Sequence, residues 1–182
     1  MGVTLAKWSL DEYHRMIAAG AFAGRNVQLV LGEIVEMAPE GPFHANSVDC
    51  LANYLSHLFA ERALVREGHP VILPSNGEPE PDVAVVVALG AVYRERHPGP
   101  EDIYLAVEVS HSTLDYDLTT KAKMYALDGV REYWVMDIER QQVWVHRQPV
   151  DGVYTFRQMH TSGTLSPEAF PDVEIAVEKL FA

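Results

Sequence analysis

The run YLAVEVSHSTLDYDLTTKAKMY, residues 104–125, decides the fold. The segment IYLAVEVS, residues 103–110, is apolar apart from Glu108 and predicts a buried strand. The spacing of residues 113–128 predicts a helix, stopped by Gly129. A carboxylate inside a buried strand is expensive unless it is paired. Side chains alternate along a strand, so Tyr104, Ala106, Glu108 and Ser110 face one way and Leu105, Val107 and Val109 the other. On the helix, Leu114, Leu118, Lys121 and Tyr125 share a face that is apolar apart from Lys121, and Lys123 lies on the opposite side. Lys121 is therefore expected to point inward, at the strand that carries Glu108.

Upstream, PDVAVVV at residues 81–87 reads as a strand covered on both faces. If it runs antiparallel to residues 103–110, Asp82 at its start lies beside Glu108 at the other strand's end. Two carboxylates in one cleft repel, and a divalent cation between them relieves this. Aspartate, glutamate and an inward lysine form a set suited to phosphodiester hydrolysis, with Mg²⁺ (or Mn²⁺ in its place) on the carboxylates and the lysine beside the attacking water. The rival readings are a turn-capping Asp82 and a structural Glu108–Lys121 ion pair.

The remaining segments predict one α/β domain over residues 1–182. Residues 8–19 form an amphipathic helix with a Ser9/Glu12 capping box. Residues 27–37 form a hairpin, 38–43 a loop and 44–63 a long packed helix. One or two strands fall in residues 65–74, and three more in 132–137, 141–147 and 152–160. Residues 174–182 read as a closing helix, and Tyr133 and Trp134 as core.

No apolar run reaches 18 residues, and the N-terminus lacks a signal peptide's apolar block, so no membrane span is expected. The single cysteine, Cys50, reads as a buried thiol, which points to a reduced, cytoplasmic setting. The net charge of −12 opposes broad attraction to nucleic acid but suits a carboxylate-rich metal site. The histidines lack zinc spacing, and no phosphate-cradling glycine loop appears, so no organic cofactor is expected.

The ordered set VQLVLGEIVEMAPEGPFH, PDVAVV and LAVEVSHSTLDYDLTTKAKMYALDGVREYWVMD resembles the Uma-type restriction endonuclease family, of the PD-(D/E)xK nuclease superfamily, over roughly residues 10–145. The resemblance implies a restriction-endonuclease-like α/β fold: a mixed central sheet flanked by helices, with additional β-hairpins. It implies that Asp82 and Glu108 are the metal ligands and that Lys121 is the catalytic lysine, displaced onto the helix. Ser110 stands where the superfamily lysine usually is, and with His44 it is expected to bind substrate. His44 matches a family histidine at the start of the long helix, where capping is the plainer role. Gln28 replaces an acidic residue of the family pattern E-L-I-D-G-E and is expected to line the site in a weakened role. Glu33 matches the second acid of that pattern, at the hairpin tip. Asp115 and Asp117 favour the helix dipole or reach the metal. The implied function is a Mg²⁺-dependent DNA endonuclease. A homodimer is expected for paired cuts, with the aromatics of residues 132–137 and 141–147 as a contact surface. The alternative is a DNA- or protein-binding module weakened by Gln28.

Overall fold

The computed structural model describes residues 4–181, so the extreme ends of the N-terminal stretch and of the tail lie outside it. Helix α1 (Leu10–Ala18) starts at the predicted capping box: Ser9 Oγ accepts the Glu12 N–H, and the Glu12 carboxylate accepts the Ser9 N–H. Strands β1 (Val27–Val30) and β2 (Glu33–Glu36) form the predicted hairpin. Its two-residue turn needs a positive φ at Leu31 and Gly32, 50° and 76°. A Cβ at Gly32 would also sit 3.0 Å from Lys7 Cβ, a tight contact that adds to the preference for glycine.

Helix α2 (Pro42–Phe59) begins inside the predicted loop, because proline is well suited to the first helical position. Strands β3 (Leu64–Glu67), β4 (Val83–Val86) and β5 (Ile103–Ser110) come next. Helix α3 spans residues 114–127 and leads to β6 (Glu132–Asp137), β7 (Gln142–Val150) and β8 (Val153–His160). These make a six-stranded sheet in the order β3-β4-β5-β6-β7-β8, antiparallel except for β5 with β6. That one parallel pair requires a crossover, and α3 supplies it. Short strands β9 (Thr164–Leu165) and β10 (Ile175–Ala176) pair apart from the sheet.

The sheet divides the core. Leu105, Val107 and Val109 pack with the inner stripe of α2: Val48, Leu51, Leu55 and Phe59. Ala84, Ala106, Tyr125 and Tyr133 pack on the opposite face, with α3 and the β1–β2 hairpin. The alternation along β5 holds with one exception. Tyr104 is the extra residue at a register shift, where Val85 pairs Leu105 and Val86 pairs Ile103, and it packs against Phe170 on the α2 side.

Of the one or two strands expected in residues 65–74, one forms, β3, because Pro70 and Pro74 interrupt any second ladder. Three expectations are corrected. Residues 174–181 form β10 and a single 3₁₀ turn, Val177–Phe181, since pairing of Ile175 with Leu165 leaves too few residues for an α-helix. Cys50 is exposed, because it lies about 200° round α2 from buried Val48. Tyr133 and Trp134 are fully buried, as core, so the 132–137 aromatics offer no contact surface. Trp144 is half-buried beneath the Arg157 guanidinium. Among the described residues, no helix is long and apolar enough to cross a membrane.

Candidate active site

Strands β4 and β5 run antiparallel with Val83 opposite Val107, so Asp82 falls beside Glu108. Asp82 Oδ2 accepts the Val109 N–H at 2.6 Å, which anchors the carboxylate at the strand end. Glu108 is 2 % exposed. Its Oε2 lies 2.8 Å from Lys121 Nζ, and its Oε1 accepts the Tyr125 hydroxyl at 3.1 Å.

Helix α3 contains an irregularity. It is α-helical at Leu114–Tyr116 and Ala122–Leu127, but Asp117–Lys121 is a π turn in which the Ala122 N–H donates to the Asp117 carbonyl. Positions four apart are neighbours on a helix face, and Lys121 Nζ sits 3.7 Å from the Asp117 carboxylate. Asp117 is itself buried and accepts from Ser110 Oγ at 2.7 Å and Thr113 Oγ1 at 2.6 Å.

Burial pushes Glu108 above the ordinary carboxylate range, with Asp82 and Asp117 adding to the shift and Lys121 opposing it. Burial works against the Lys121 ammonium, but Glu108, Asp117 and Asp82 outweigh it and hold its pKa above the ordinary value. The site therefore holds a permanent cation next to a carboxylate with high affinity for a proton or another cation. Glu132 is the instructive contrast. It is equally buried, but it accepts from Trp134 Nε1, Arg147 Nε and the Glu168 N–H, and it faces no cleft. Glu132 is a structural acid.

His44 lies in the first turn of α2, and its Nε2 is 3.4 Å from Asp82 Oδ2. That contact, helped by Glu40, raises the imidazole to about 8 against the opposing effect of burial. Because the folded pKa exceeds the ordinary 6.5, protonated His44 contributes stability that is complete below about 6.5. The contribution is lost as pH rises through about 8. An NMR titration of His44 is expected to show a midpoint near 8 that falls by about one unit in Asp82→Asn. An unchanged midpoint in the variant would remove Asp82 as the cause.

Asp82, Glu108, Lys121, Gln28 and His44 line one cleft of about 200 Å³. Gln28 is 4 % exposed, and its Oε1 has no hydrogen-bond partner among the described residues. Ser110 is fully buried with its hydroxyl committed to Asp117, so it supports the site from behind and does not face the cleft. Glu33 is exposed, pairs with Lys7 at 2.5 Å and stands outside the cleft, as exposed Asp115 does.

Three acids of the cleft carried little or no weight in the sequence: Asp117, Glu40 and Glu80. Glu80 stands two residues before Asp82 across Pro81, in the loop ahead of β4. Glu40 stands four residues before His44 and hides in the loop ahead of α2. Among the described residues, Glu40, His44 and Asp82 bring ligand atoms within 4.8 Å of one another.

A mixed sheet whose paired strand ends bring two acids and a lysine to one cleft defines a nuclease-like α/β protein. The chain matches the Uma2 family, described as "Putative restriction endonuclease", over residues 10–178, and it belongs to that family. The fold is similar to a crystal structure from Anabaena variabilis ATCC 29413, described as a "putative nuclease belonging to DUF820". The TM-score is 0.71 at 14 % identity, covering 95 % of this chain and 97 % of that one. No curated protein matches the chain.

Proposed function

We propose that this chain is a metal-dependent endonuclease that hydrolyses DNA phosphodiester bonds. Asp82 and Glu108 would hold Mg²⁺, with Mn²⁺ as a substitute. The observation that carries the reading is the buried 2.8 Å contact of Glu108 with Lys121, placed at the wall of a cleft beside Asp82. Family membership and the nuclease-like fold support the same reaction class and DNA as its substrate.

The donors fit a hard divalent ion. Asp82 and Glu108 offer carboxylate oxygens from adjacent strands. When bound, Mg²⁺ supplies Lewis acidity to a phosphoryl oxygen and acidifies a bound water. The chain's own part is positioning. Glu108 and Asp117 fix the Lys121 ammonium, which can donate to the attacking water or to the phosphate charge that develops. Protonated His44, in the first turn of α2, can donate to a phosphate oxygen. Ser110 and Tyr125 orient Asp117 and Glu108 through their hydroxyls. Paired cuts in a duplex need two such clefts, which a homodimer supplies. The low cysteine content fits action in the cytoplasm.

Gln28 favours a second reading: a nuclease-like module that binds DNA or a protein and cuts poorly. A neutral amide is a weaker metal ligand than a carboxylate and cannot serve as a base. Plasmid nicking with Mg²⁺ or Mn²⁺ separates the two. Native protein is expected to nick with either ion and to stop in excess chelator. Gln28→Glu is expected to raise the rate by about tenfold, on the order of one pKa unit's worth of added interaction. Cutting that appears only in Gln28→Glu would favour the weakened module. No cutting by either protein would remove the nuclease reading.

A further inference from the structure

At the rim of the cleft, Glu40, His44 and Asp82 come from three separate segments: the loop before α2, its first turn, and the residue before β4. Each brings one ligand atom to within 4.8 Å of the other two. His44 Nε2 lies 3.4 Å from Asp82, and its buried Nδ1 lies 3.7 Å from Glu40 with no hydrogen-bond partner among the described residues. Ligand atoms bound about 2.0–2.2 Å from a first-row divalent ion lie about 3–4.3 Å apart. One ion takes only one ring nitrogen; with Nε2 beside Asp82, the Glu40 side chain, 61 % exposed, swings over from the Nδ1 side to close the set.

A second, independent feature points to a ligand. Gln28 Oε1 is buried in the wall of the same cleft and has no hydrogen-bond partner among the described residues. Buried amide oxygens are normally paired, and a cation or its bound water would satisfy this one. The charges divide in the same sense. Lys121 compensates Glu108 and Asp117 on the inner side, whereas the imidazole of His44 bridges Glu40 and Asp82 at the rim.

We infer that Glu40, His44 and Asp82 form a second divalent-metal position, the ion displacing the His44 imidazole proton to solvent, with Gln28 Oε1 or a water on it as a further donor. It takes a transition ion such as Mn²⁺, Co²⁺ or Zn²⁺ in preference to Mg²⁺. The imidazole nitrogen sets this preference, since Mg²⁺ selects oxygen donors and imidazole suits the later ions. Asp82 would be shared with the proposed Asp82–Glu108 position. The rim position goes beyond the nuclease reading, because its ligands stand together whether or not the chain cuts DNA.

Mn²⁺ added to the full chain is the probe, read by pulsed electron paramagnetic resonance, which detects a directly bonded imidazole nitrogen. The expected result is nitrogen modulation in wild type and in Glu108→Gln, lost in His44→Gln. Mn²⁺ affinity is expected to fall about tenfold or more in His44→Gln. It should fall several-fold in Glu40→Gln, an exposed loop change that leaves the fold intact and keeps the test open if His44→Gln misfolds. Mn²⁺ bound without nitrogen modulation in wild type overturns the inference, and so does modulation that survives in His44→Gln. Plasmid nicking is scored separately. A nitrogen signal without cutting leaves the rim position standing and removes the nuclease reading, whereas cutting without the signal does the reverse.

Discussion

Asp82→Asn is expected to lower metal-dependent plasmid nicking by about 10³-fold or more while leaving the fold intact. The amide is nearly isosteric, and its oxygen can still accept the Val109 N–H that Asp82 Oδ2 accepts at 2.6 Å. The change removes the negative charge between Glu108 and His44. A bound ion is worth several kcal/mol of transition-state stabilisation, and about 4 kcal/mol corresponds to about 10³ in rate. Asparagine is a safer probe than alanine, because alanine would also free the Val109 N–H and confound catalysis with stability. The checks are nicking rate at saturating Mg²⁺ and melting temperature. A rate within about tenfold of wild type, with an unchanged melting temperature, would assign Asp82 to the turn-capping role that its place after Pro81 also permits.

Much of the site could be read in the sequence because two periodicities meet there. Strand parity puts Glu108 on the face of Ala106 and Ser110, and helical spacing puts Lys121 with Tyr125. The structure joins all three through contacts of 2.8 and 3.1 Å. The pairing of Asp82 with Glu108 came from assuming an antiparallel ladder, and the register bears this out. The π turn could not be read, since a five-residue irregularity leaves no mark in a 3.6-residue pattern. Asp117, expected to favour the helix dipole or reach the metal, is a buried neighbour of Lys121 at 3.7 Å, a contact that their spacing of four allows on any helix. Glu40 and Glu80 were obscured for another reason. Both lie in proline-rich loops, where backbone course depends on long-range packing and no period exists to trace. The Glu78 N–H donates to the Leu29 carbonyl at 2.7 Å, which ties the loop ahead of β4 to the hairpin that carries Gln28. A contact between residues so far apart in the chain has no local signature. Tyr104 failed strand parity for a related reason, because a register shift depends on both partner strands.

Lys121→Met is expected to destabilise the protein by about 3–5 kcal/mol, the usual cost of breaking a buried ion pair from one side. At about 2–4 °C per kcal/mol for a chain of this size, melting falls by roughly 6–20 °C. Methionine nearly matches the lysine stem in volume, so the loss reports charge and not a cavity. Asp117 keeps its bonds from Ser110 and Thr113, whereas Glu108 keeps only the Tyr125 hydroxyl of its two partners here. The unpaired acid is therefore Glu108, and neutralising it should rescue the fold. In Lys121→Met/Glu108→Gln, the glutamine oxygen can still accept from Tyr125, and at least half of the lost stability is expected to return. A double-mutant cycle by thermal or urea unfolding measures this coupling, about 1.5–3 kcal/mol for neighbours of this kind. Nicking is expected to be absent in both single variants and to stay absent in the double variant. The combination of recovered stability and lost cutting is decisive, because a purely structural ion pair predicts that activity returns with the fold. If the double variant cuts DNA at the wild-type rate, Glu108 and Lys121 hold the sheet to the helix, and the chemistry lies elsewhere in the cleft.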